Sequence, residues 1–165
     1  QHLAPTFGSQ PWQEQAPRLK AVLDHVREAI ALGDAAARSQ AIAELARTAE
    51  AFAAAPQSIR AGVVDKGFAE QSRPWLEAME HWGSALQQTA AGLDAANRGD
   101  AQAAALFAEA AASAAVASAI PSIPGATRFG GPVKIADGVL DRFVADAPRL
   151  IAYRVPSAAA PATAQ

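Results

Sequence analysis

The sequence predicts an all-α fold: an antiparallel bundle of about five helices, three long and one or two shorter. Three observations carry this reading. Hydrophobic residues make up 51% of the 165-residue chain, yet aromatic ones only 6%. Alanine, the strongest helix former and a side chain that buries little area, accounts for roughly 28% of the chain, which favours closely packed helices over a sheet. No run alternates β-branched and aromatic residues with polar ones for long enough to make a strand. The length suits one domain with a single substantial core, placed at 1–155, followed by an Ala/Pro-rich tail or linker at 156–165.

The first helix is expected to open at Ser9 or Gln10, with Pro11 in its first turn, where a missing N–H has no consequence. Leu19, Leu23, Val26 and Ile30 give it an apolar face, and Leu32-Gly33 ends it. Pro17 demands an early turn or a kink. Asp34 is a ready N-cap for the second helix, whose buried face is Ile42, Leu45, Ala49 and Phe52 and whose stop is Pro56. Residues 57–72 read as one or two short helical turns packed under the bundle as a connector, because Gly62 and Gly67 lower the helix propensity.

Ser72 then caps the long third helix, with Pro74 in its first turn. Trp75, Met79, Trp82, Leu86 and Leu93 fall on one face of it, and tryptophan is large and unfavourable to expose. Trp75 and Trp82 are therefore taken as core posts, and this helix as the centre of the bundle. Arg98-Gly99 ends it and Asp100 caps the fourth, Ala-rich helix, which carries Leu106, Phe107, Val116 and Ile120. Gly33-Asp34 and Gly99-Asp100 both read as a helix stop followed at once by a helix start, hence two tight αα-hairpins. The flanking residues do not align, which argues for convergent capping rather than duplication. Residues 121–132 are a loop rich in proline and glycine, with Arg128 and Phe129 as the candidate contact to a neighbouring domain. Asp137 caps a last helix bearing Val139, Leu140, Phe143, Val144, Leu150 and Ile151, which Pro148 ends or bends.

Fourteen basic and sixteen acidic residues are interspersed for a net charge of −2, so no basic stripe addresses a nucleic acid. The chain has no cysteine, which excludes disulfides, thiolate metal sites and thiol nucleophiles. The apolar stretch at 101–120 is mostly alanine and is read as a packed helix, not a membrane span. Glu77 and His81 sit one turn apart, but no second His–carboxylate pair completes a metal site. Glu77 and Glu80 read as a solvated helix face. Neither a Gly-x-Ser-x-Gly elbow nor a phosphate loop is present. We assign no catalytic, cofactor-binding or metal-binding residue and expect no cofactor. The chain opens on Gln1 without methionine, as a processed or excised piece would.

Arg73-Pro74-Trp75-Leu76, followed by Trp82-Gly83, resembles the helical domain after the catalytic barrel in bacterial family 84 glycoside hydrolases. These are the β-N-acetylglucosaminidases variously called hyaluronidases or O-GlcNAcases. Residues 92–100 and 133–146, the latter with Asp137-Gly138-Val139-Leu140 before Phe143, extend the similarity. The resemblance implies an accessory domain of a larger, exported enzyme, with the catalytic barrel as partner. Such enzymes hydrolyse terminal N-acetylglucosamine by substrate-assisted retention, using two neighbouring aspartates on a barrel of about 250 residues. Nothing here matches that pair, so no catalytic residue carries over. The rival expectation is a stand-alone helical protein–protein interaction module; direct glycan contact has no support in the sequence. If Trp82 is a core post, Trp82→Ala should lower stability by about 3–5 kcal/mol, read from a thermal melt; a loss under about 1 kcal/mol would overturn the assignment.

Overall fold

A computed structural model of the chain describes residues 9–62, 66–120 and 138–152. Among the described residues there are five helices and no strand. They are α1 (Ser9–Leu32), α2 (Ala35–Gly62), α3 (Lys66–Asn97), α4 (Ala103–Ala119) and α5 (Leu140–Ala152). The expected all-α class is the observed one, with three long helices and two shorter.

Helix α3 is the centre of the arrangement. It packs against α2, α4 and α5, while α1 lies against α2 and α5, and α4 also touches α5. Its burial is correspondingly broad: Leu76, Met79, Trp82, Leu86 and Leu93 are buried, as are Ala78, Ala85, Ala90 and Ala95 between them. Around it, α1 buries Leu19, Leu23, Val26 and Ile30, and α2 buries Ile42, Leu45, Ala49 and Phe52, the faces their spacing predicts. Helix α5 closes the core with Leu140, Phe143, Val144, Ala147 and Ile151. The one buried polar side chain among the described residues is Thr89, whose hydroxyl donates to the Ala85 carbonyl at 2.7 Å.

Three expectations about helix boundaries fail. Pro56 does not stop α2, which continues to Gly62; the ring is fully buried and its apolar contacts offset the lost backbone hydrogen bond. Nor is 57–72 a connector. Its two ends belong to α2 and α3, leaving only 63–65 between the helices, outside the described residues. Ser72, the expected cap, lies inside α3, which starts at Lys66 and runs through Pro74. Pro17 lies within α1, about two turns from its start.

Helix α4 presents alanines to the core. Ala110, Ala114 and Ala117 are its buried residues, Leu106 and Phe107 are half-buried, and Val116 is 48% exposed. The spacing of three and four between the buried alanines is the helical repeat itself. Phe107 and Ile120 pack against the core beside these alanines, and Val116 faces solvent.

The two Gly-Asp pairs make hairpins of different construction. At the first, only residues 33 and 34 separate the helices, and Asp34 Oδ1 accepts the Ala37 N–H at 2.9 Å, an N-cap bond to the third helical residue. At the second, Gly99 takes φ +74°, the Gly99 N–H reaches the Ala96 carbonyl at 3.0 Å, and the Asp100 N–H reaches Ala95 at 2.8 Å. That pair of bonds is a Schellman termination. Asp100 is not the cap of α4: Gln102 holds that position, and Asp100 Oδ1 instead takes the Gln102 N–H at 2.9 Å.

Helices α2 and α3 run antiparallel, since Arg38 meets Asn97, Ala53 meets Gly83 and Arg60 meets Glu80. At the middle crossing a Cβ on Gly83 would lie 2.6 Å from both the Cα and the Cβ of Ala53. Gly83→Ala should therefore push the two helices apart and lower stability by about 1–3 kcal/mol in urea unfolding. Gly99→Ala has open space around it and should cost about 1–2 kcal/mol through the left-handed backbone alone. An unchanged midpoint for Gly83→Ala would show that the close approach is not needed.

Candidate functional site

The motif most specific in the sequence lies on α3, and its described members are used for packing. Leu76 and Trp82 are each 2% exposed, and Gly83 sits against the α2 backbone at Ala53. A ring so enclosed offers no face for a sugar to stack on. Arg73, at the head of the motif, is exposed and pairs with Glu70 one turn earlier. The Trp75 side chain lies outside the described residues, as do Arg128, Phe129, Asp137 and the tail at 156–165.

Downstream on the same helix, the acidic residues singled out by sequence separate in role. Glu80 forms an ion pair and hydrogen bond with Arg60 of α2. That hydrogen bond raises the Arg60 guanidinium above its ordinary pKa, partial burial opposes the rise, and the Glu80 and Glu77 charges add to it. Glu77 is exposed and His81 half-buried. No group of three His, Cys, Asp or Glu side chains able to hold a metal ion occurs among the described residues.

Two arrangements of polar groups had no visible sequence signal. Arg38, one turn into α2, donates from Nε to Asn97 Oδ1 of α3 at 2.8 Å and from Nη1 to the Gly33 carbonyl at 3.1 Å. Asn97 returns an amide hydrogen to the Ala35 carbonyl at 3.4 Å. One guanidinium thus joins the end of α1, the start of α2 and the end of α3. On the other side of the bundle, Arg27 of α1 lies 5.3 Å over the Phe143 ring of α5 and 3.5 Å from Asp146. Its Nε is buried without a hydrogen-bond partner. Asp146 also accepts from Arg149 on its own helix. A smaller polar contact ties α3 to α4. With its amide nitrogen turned toward α4, Gln88 donates to Ser113 Oγ at 2.9 Å and to the Glu109 carbonyl at 3.0 Å.

Two open grooves are lined by described residues. One, of about 380 Å³, runs between α2 and α3 over Ile42, Ala43 and Ala90, with Glu50, Gln87 and Asp94 on its rims. The other, of about 440 Å³, lies between α1 and α2 beside His25, Gln40, Glu44 and Arg47. No helix among the described residues is long and apolar enough to cross a membrane.

Comparison of the chain with protein-family models, with curated proteins and with solved structures finds no match. The described residues form an all-helical domain of about five helices, with no family identified.

The Arg38 contacts lead to a stability prediction. Arg38→Ala leaves the Asn97 oxygen and the Gly33 carbonyl without this donor and should cost roughly 1–2 kcal/mol. Asp34→Ala, removing a single N-cap bond from the same turn, should cost about 1 kcal/mol. Urea titration of both variants is the check, and an Arg38→Ala loss below that of Asp34→Ala would sink the claim that Arg38 joins three helices.

Proposed function

We propose that this chain is a non-catalytic helical accessory domain of a larger, exported β-N-acetylglucosaminidase, packing against or spacing its catalytic barrel. The sequence resemblance supplies the family, and one structural observation supports the role. Trp82-Gly83, the pair that closes the Pro-Trp-Leu…Trp-Gly pattern, lies at the contact between α2 and α3, where it maintains helix packing. A pattern retained for packing suits a domain that serves as a rigid body. Hydrolysis of N-acetylglucosamine glycosides then belongs to the barrel, and the partner of this domain is that barrel.

The polar groups accord with the same reading. Arg38, Arg60, Arg27 and Gln88 each link one helix to another. A bundle stapled in this way holds its helices in fixed relative positions.

The test starts from the coding region around this segment. The gene product containing it should hydrolyse a chromogenic N-acetylglucosaminide, and the isolated 165-residue chain should not. Deleting the segment should lower the melting temperature of the catalytic part while leaving turnover of the small substrate intact. A coding region without a barrel would remove the glycosidase reading and leave a helical interaction module. Turnover by the isolated chain would overturn the non-catalytic assignment.

A further inference from the structure

We draw no further inference here: the strongest candidate, the open groove between α2 and α3 over Ile42, Ala43 and Ala90, has one of its two rim carboxylates, Asp94, already paired with Arg98, and nothing in the structure shows what covers it.

Discussion

The contact between Ala53 and Gly83 is the constraint on which the rest of the structure depends. Bundle helices ordinarily keep their axes 8–10 Å apart, a distance set by the side chains at the crossing. Here one partner has no side chain and the other only a methyl group, so the two backbones meet at the crossing point. Trp82 lies immediately beside this point and is almost wholly buried. A large ring next to a glycine is a complementary pair: the ring fills the volume to one side while the glycine lets the neighbouring helix close over it. The same device recurs on the other flank of α3, where a Cβ on Gly92 would meet the Phe107 ring of α4 at 2.8 Å.

Alanine abundance makes such contacts necessary. A buried alanine removes little apolar surface from water, so a core built from it gains most from close approach and dense dispersion contact. The larger contributions come from a few side chains: Trp82, Phe143, Ile30, Leu45, Leu86, Leu93 and Leu140 are among the largest that are fully buried. They are distributed over α1, α2, α3 and α5, whereas α4 offers the core only alanines besides its half-buried Leu106 and Phe107. Helix α4 is accordingly held by proximity to α3 and by the Gln88 hydrogen bonds more than by large buried groups of its own.

The charged side chains divide by reach. Lys20–Asp24, Arg73–Glu70 and Arg98–Asp94 are pairs within one helix, exposed and worth a few tenths of a kcal/mol each. Arg38, Arg27 and Arg60 cross between helices and fix how those helices sit. The accessory role proposed above asks for that second kind of interaction: a domain that spaces or supports another must hold its own shape first. The planar guanidinium, with donors aimed in several directions, suits such junctions better than a lysine ammonium.

Composition and helical spacing determined the class, the number of helices, the apolar faces of α1, α2 and α5, and α3 as the central helix. Those features depend on residues three and four apart, which a sequence displays directly. The capping at Asp34 and the termination at Gly99 were legible for the same local reason. The course of the chain through Pro56 and Pro74 and the junctions at Arg38 and Arg27 were decided by tertiary structure. A proline breaks an isolated helix, but a buried proline in a packed one gains contacts that a sequence does not display. Arg38 and Asn97 are 59 positions apart, and only the antiparallel docking of α2 on α3 brings them together. For the candidate site, the sequence marked Trp82-Gly83 as a pattern, while its use in packing followed from burial and close approach, properties of the folded chain.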